Sequence, residues 1–228
     1  MRRIYELVAL IEKEHSNDHF FANLKQTLEF APEVRAQYRA YERALSILDL
    51  DSWNVLRNKA LEHFIDHGLG QRKQGFFNQL NEAFAYEHLI RKGFQGVQIL
   101  RETGKILPDI QYTDRQVIKY CEVKTVGISD DLIARRESMQ ATSSEIYYQL
   151  SAEFLNKLRS SIDVAADQLR TKGSNGLIYL LMLFDDFTLE HYKTYRKQVT
   201  SCIQSHPAIN IHIKVGILGR RYIPKGSA

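Results

Sequence analysis

Two charged residues stand on one face of an otherwise apolar strand pattern. Side chains alternate between the two faces of a strand, so Glu122 and Lys124 project to the same side. Their companions on that face, Ile118 and Tyr120, are apolar. A carboxylate and an ammonium at the end of such a face are costly to bury without partners. The pattern therefore indicates either a mutual ion pair or a bound ligand.

A second carboxylate, Asp109, follows Pro108 in the preceding β-like run. If the runs 106–112 and 116–126 form a hairpin, Asp109 lies beside Glu122. Two neighbouring carboxylates repel each other, and the usual remedies are a shared proton or a divalent cation. The nearby lysine favours the cation, because an ammonium beside a bound metal suits phosphoryl chemistry.

These residues resemble the signature of the PD-(D/E)xK nuclease superfamily. The signature is present as Pro108-Asp109 followed by Glu122-Val123-Lys124. Members usually supply a further glutamate from the helix before the core strands, and Glu82 has this position, with Glu87 as a rival. The resemblance covers roughly residues 74–184. It implies an α/β fold of the restriction-endonuclease-like kind, a mixed sheet flanked by helices.

The resemblance also implies an activity, a metal-dependent nuclease that hydrolyses phosphodiester bonds. It favours a DNA endonuclease of restriction, anti-phage defence or repair. The expected cofactor is Mg²⁺, with Mn²⁺ able to substitute, and the expected ligands are Asp109, Glu122, the backbone carbonyl of Val123, and Glu82. Lys124 is expected to position the attacking water. Lys157 and Gln168 are accessory candidates, because members often place a basic or amide residue on the helix after the Glu-x-Lys strand.

Hydrophobic periodicity predicts the elements that position these residues. Helices are expected near 3–14, 20–29, 33–49, 52–67, 74–92, 143–171 and 188–204, with Asp51-Ser52 as the N-cap of the fourth and Gly93 ending the fifth. Strands are expected at 97–101, 106–112, 116–126, 176–184 and 210–218. This order predicts an α-helical N-terminal region, 1–70, whose role is substrate recognition, dimerisation or cover of the sheet. The nuclease domain is expected at 71–228.

Composition narrows the class of protein. The 228 residues carry a net charge of +4 and only two cysteines, which excludes a disulfide framework and a thiolate metal cluster. The excess of basic residues falls after residue 70, in the part of the chain that carries the motif. Glu6 and Glu12 interrupt any apolar run at the start long enough for a signal peptide or a membrane span. The sequence thus predicts a cytoplasmic protein with no membrane partner.

The pattern leaves other functions open. A catalytically silent nucleic-acid-binding or assembly module of the same fold is one alternative, although such a module has no need of all four charged residues. An RNase or a nucleotide phosphoesterase is another. The expected partner is nucleic acid, with DNA favoured over RNA, and a homodimer or a partner protein of a defence system fits as well.

Overall fold

The computed structural model describes residues 1–66, 73–102, 107–127, 149–173, 176–183, 192–204 and 209–218. The helices are α1 (Arg2–Glu14), α2 (Leu24–Phe30), α3 (Pro32–Ile47), α4 (Leu50–Glu62), α5 (Gln74–Arg91), α6 (Ala152–Arg170) and α7 (Tyr192–Gln204). The strands are β1 (Gln95–Ile99), β2 (Ile110–Asp114), β3 (Val117–Val126), β4 (Leu177–Met182) and β5 (Asn210–Val215). Within the described residues the strands form one five-stranded mixed sheet in the order β1-β2-β3-β4-β5. The α/β class is confirmed.

The chain divides into two compact units. The first comprises Met1–Gly104 and Asp109–Ile118, and the second comprises Lys105–Pro108 and Lys119–Ala228. The boundary expected at residue 70 falls outside the described residues, as do 143–148 and 188–191 of two predicted helices. Helix α5 and the first two strands belong to the first unit, because α5 packs against α3, α4 and β1. Among the described helices, none is both long and apolar enough to cross a membrane.

Helices α4 and α5 determine which polar side chains enter the interior of the first unit. The buried residues of α4 recur at helical spacing and are Ser52, Trp53, Leu56, Lys59 and Ala60. Helix α4 begins at the N-cap Asp49, whose Oδ1 accepts a hydrogen bond from the Ser52 backbone N–H at 2.7 Å. Helix α5 is buried around most of its circumference, so Glu82 and Glu87 are both removed from water. The register of α4 therefore turns a lysine inward.

The β2–β3 connection is a two-residue turn. Arg115 and Gln116 follow β2 directly and have φ angles of +49° and +69°. Two consecutive positive φ values are the geometry of a type I′ turn, which matches the twist of an antiparallel hairpin. Strands β1 and β2 are antiparallel, with Ile99 opposite Ile110. Strands β2 and β3 are also hydrogen-bonded neighbours in the sheet, as the hairpin expected from the sequence requires.

The second unit is built on a parallel arrangement. Strand β3 pairs in parallel with β4, and β4 pairs in parallel with β5, with Glu122 opposite Ile178 and Lys124 opposite Leu180. Helices α6 and α7 pack on this sheet through a shared core that includes Val126, Phe154, Leu158, Ile162, Leu169, Ile178, Tyr195 and Ile213. At the start of β4 a Cβ on Gly176 would stand 2.0 Å from the Tyr120 carbonyl oxygen, so only glycine allows this approach.

The turn yields a prediction about stability. Gln116→Gly should raise the free energy of unfolding by roughly 1 kcal/mol, because glycine occupies a positive φ without the clash of a Cβ. Gln116→Ala is the matched control and should bring no gain, since alanine keeps the Cβ. Chemical denaturation of both variants measures the difference. Equal stabilities for the glycine and alanine variants would contradict the assigned turn.

Candidate functional site

The first unit contains a buried lysine surrounded by carboxylates. The side chain of Lys59 is 4% exposed, and its Nζ lies 2.5 Å from Glu82 Oε1. The same nitrogen lies 3.6 Å from Asp109 Oδ1 and 3.6 Å from Glu102 Oε1. Two residues predicted to be catalytic, Glu82 and Asp109, therefore contact one ammonium group. The third carboxylate, Glu102, stands after β1.

Electrostatics keep this lysine charged. Burial by itself lowers the pKa of Lys59, because a charged group loses its water. The negative charges of Glu82, Asp109 and Glu102 outweigh that effect, so the pKa is raised above the ordinary lysine value. One turn later on the same face, His63 Nε2 lies 3.3 Å from Glu102 Oε2 and Nδ1 lies 2.6 Å from Asp66 Oδ2. The group is an ionic network and not an isolated pair.

The structure separates the two glutamates that competed for one role. Glu82 is 3% exposed and contacts Lys59 in the group that includes Asp109. Glu87 instead pairs with two arginines, Arg43 Nε at 3.2 Å and Arg91 Nη2 at 2.6 Å, whose side chains are more than half exposed. Geometry therefore associates Glu82, and not Glu87, with Asp109.

The second unit contains the other predicted residues. Glu122 and Lys124 lie on one face of β3, and Lys124 Nζ lies 2.7 Å from Glu122 Oε1. Lys124 Nζ also donates a hydrogen bond of 2.7 Å to Gln168 Oε1 on α6. The side chain of Glu122 is 2% exposed, whereas that of Lys124 is 26% exposed. The ion pair that the pattern allowed is present, with its carboxylate buried and its ammonium near the surface.

Several predicted residues have simpler outcomes. Lys157 stands on α6 three helical turns before Gln168, which places both on the same side of that helix. Val123 lies in β3 opposite Tyr179, and the role of its carbonyl stays a prediction. The proximity of Asp109 and Glu122 also stays a prediction. Over the part of the chain that the structure describes, no three His, Cys, Asp or Glu side chains are grouped as a metal shell.

Lys59 is the residue that sequence reasoning missed. Its signal was present, because it occupies the apolar helical spacing set by Trp53, Leu56 and Ala60. A lysine at such a position must either extend its head to water or find an internal anion. The sequence alone does not show that the anions come from Glu82 and Asp109, which are distant along the chain.

Comparison with known proteins gives no relative. No family model, no curated protein and no solved structure matches the chain. The function must therefore be argued from the geometry of the two residue groups, the carboxylates around Lys59 and the contacts of Lys124.

The His63 network makes stability depend on pH. Its hydrogen bond to Asp66 is the largest cause that raises the pKa of His63 above the ordinary value of 6.5, with a further contribution from Glu102. A raised folded-state pKa stabilises the fold fully below the unfolded value, and this contribution is lost as pH rises through the folded value. The free energy of unfolding of the wild type should therefore fall over that window, by less than about 1 kcal/mol because the ring is partly exposed.

Denaturation of His63→Asn across pH 5 to 9 checks this prediction, and its curve should be flatter than that of the wild type. The control is His19→Asn, which alters an exposed histidine of the same unit. Identical curves for wild type and His63→Asn would refute the assigned network.

Proposed function

We propose that the protein is a metal-dependent nuclease with a restriction-endonuclease-like fold that hydrolyses phosphodiester bonds in DNA. The carrying observation is the position of Lys124 Nζ, 2.7 Å from the Glu122 carboxylate and 2.7 Å from the Gln168 amide oxygen. The Glu-x-Lys pattern places Glu122 and Lys124 on one face of a strand, which allows the contact between them. The resemblance to the nuclease superfamily singled out Gln168 independently of its contact with Lys124.

The oxygen-rich character of both groups fits Mg²⁺. The candidate donors are the carboxylates of Glu82, Asp109 and Glu122, and hard cations such as Mg²⁺ prefer oxygen ligands. Mg²⁺ keeps several waters and needs only one or two protein carboxylates, so a full shell of protein side chains is not required. Mn²⁺ accepts the same ligands. When bound, the cation would neutralise charge on the scissile phosphate.

The protein groups have distinct tasks in this proposal. Lys124, the partly exposed partner of the buried Glu122, donates hydrogen bonds to the attacking water and stabilises negative charge that develops on the phosphate. Gln168 accepts one of its N–H groups and so fixes the direction of the ammonium. Glu122 and Asp109 would hold the cation, with Glu82 as a further candidate ligand. The Val123 carbonyl completes the expected set.

The proposal covers partners as well. The basic excess after residue 70 favours a polyanion such as nucleic acid. The N-terminal helical region is proposed to recognise substrate, to dimerise or to cover the sheet. The competing functions are a silent binding module and an RNase or nucleotide phosphoesterase. One cleavage assay distinguishes between them.

The central prediction concerns cleavage. The wild type should cut supercoiled plasmid or linear duplex DNA in Mg²⁺ or Mn²⁺ and should not cut in EDTA. Lys124→Ala should lower the rate by at least about a hundred-fold, because it removes the group that stabilises developing charge. Gel assays on plasmid, linear DNA and RNA make the measurement, with rates expressed per folded molecule from circular dichroism.

The matched control is Lys119→Ala, which removes another lysine of β3 at a position that alternation places on the opposite face. It should cut like the wild type. Lys124→Ala is also expected to lose roughly 1–3 kcal/mol of stability, because the buried Glu122 loses its ion-pair partner. A Lys124→Ala protein that cuts at the wild-type rate would sink the assignment, and cleavage of RNA alone would favour the RNase.

A second prediction separates metal binding from the lysine's task. Asp109→Asn and Glu122→Gln keep side-chain shape but remove negative charge, so each should weaken Mg²⁺ binding by on the order of ten-fold or more and abolish cleavage. Lys124→Ala should keep Mg²⁺ binding. Calorimetric titration with Mg²⁺ in the absence of nucleic acid makes the comparison. Wild-type Mg²⁺ affinity in both carboxylate variants would contradict the ligand assignment.

A further inference from the structure

We propose that Lys59 is a positioning residue, an internal counter-cation that keeps the carboxylates of Glu82 and Asp109 together when no metal is bound. The inference rests on the proposed function, because that function makes Glu82 and Asp109 metal ligands. It extends the site to α4, in the N-terminal helical region for which the sequence suggested only recognition, dimerisation or cover.

Three carboxylates converge on one nitrogen atom. Lys59 Nζ contacts carboxylates from α5, from the segment after β1 and from the residue before β2. Neighbouring carboxylates repel one another, and an ammonium between them offsets this repulsion. Lys59 is 4% exposed and Glu82 is 5% exposed, so solvent screens this pair little, whereas the side chains of Asp109 and Glu102 are 19% and 49% exposed.

The three contacts of Lys59 Nζ differ in length. Glu82 Oε1 lies within hydrogen-bonding distance of Lys59 Nζ, whereas 3.6 Å to Asp109 and to Glu102 exceeds hydrogen-bond length. Charge, and not a fixed hydrogen bond to this nitrogen, therefore attracts Asp109 toward Lys59. A divalent cation carries twice the charge of an ammonium and would compete with Lys59 for this carboxylate.

Another ion pair of the first unit shows how a purely structural pair differs from the group around Lys59. The pair Arg43–Glu87 also joins a cation to a buried carboxylate of α5, but Arg43 is 54% exposed and Glu87 is shared only with a second arginine among the contacts described. Among the described residues, Arg43 forms no ion pair with a second carboxylate. Loss of Arg43 should therefore destabilise the fold without changing the stabilisation by Mg²⁺. Arg43 is for this reason the control for Lys59.

The experiment compares thermal unfolding of the full chain in EDTA and in Mg²⁺, together with calorimetric titration by Mg²⁺ alone. Lys59→Met should unfold at a lower temperature than the wild type in EDTA. Mg²⁺ should raise its midpoint more than that of the wild type, and Mg²⁺ should bind on the order of ten-fold more tightly. Arg43→Met should also unfold earlier, yet respond to Mg²⁺ as the wild type does.

A Lys59→Met midpoint that responds to Mg²⁺ no more than the wild type would overturn the inference and leave Lys59 a structural ion pair. If Lys59→Met does not fold, the comparison is made between Glu82→Gln and the double variant Lys59→Met/Glu82→Gln. In the double variant both partners of the ion pair have lost their charge. The double variant should respond to Mg²⁺ more than Glu82→Gln, because Asp109 contacts the same ammonium. Equal responses would again overturn it.

These outcomes are independent of the cleavage assay. If the wild type cuts DNA but Mg²⁺ stabilises Lys59→Met no more than the wild type, the role of Lys59 is refuted and the nuclease function stands. If the wild type cuts no nucleic acid but Mg²⁺ stabilises Lys59→Met much more than the wild type, the nuclease function is refuted and the counter-cation role is supported.

Discussion

An ammonium group that loses its water must be surrounded by negative charge, and Lys59 meets this need with carboxylates from three other segments. Its Nζ links α4 to α5 through Glu82, to the segment after β1 through Glu102, and to the residue before β2 through Asp109. Loss of one partner of a buried pair costs about 3–5 kcal/mol, which is comparable to truncating a large core side chain. The first unit thus contains a buried ionic group beside its apolar core.

The second unit presents the converse case, a buried carboxylate that needs a cation. Glu122 is 1% exposed, and Lys124 neutralises it from the same face of β3. The core between β3, β4 and α6 holds the helix in the position from which Gln168 reaches Lys124. Three side chains are therefore positioned by strand alternation and by helix packing, and the catalytic role proposed for Lys124 requires such rigidity.

The sequence predicts the local features of this site better than the distant ones. Period two places Glu122 and Lys124 together, and the prediction is confirmed because alternation is a property of any strand. The expected N-cap Asp51-Ser52 is wrong: α3 ends at Ile47, and the short connection leaves Asp49 to cap α4. Sequence reasoning missed Lys59 because tertiary packing brings its partners to it. Tertiary packing also joins α5 to the N-terminal helices.

The two lysines differ in a way that divides their tasks. Lys59 is 4% exposed and close to three carboxylates, so in the proposed role it acts through those carboxylates and does not contact a phosphate. Lys124 is 26% exposed, and its ammonium has a third N–H direction beyond those used by Glu122 and Gln168. A water or a phosphate oxygen can accept that hydrogen bond without disturbing the other two. Exposure, and not residue type, is therefore the reason to propose a positioning role for Lys59 and a catalytic role for Lys124.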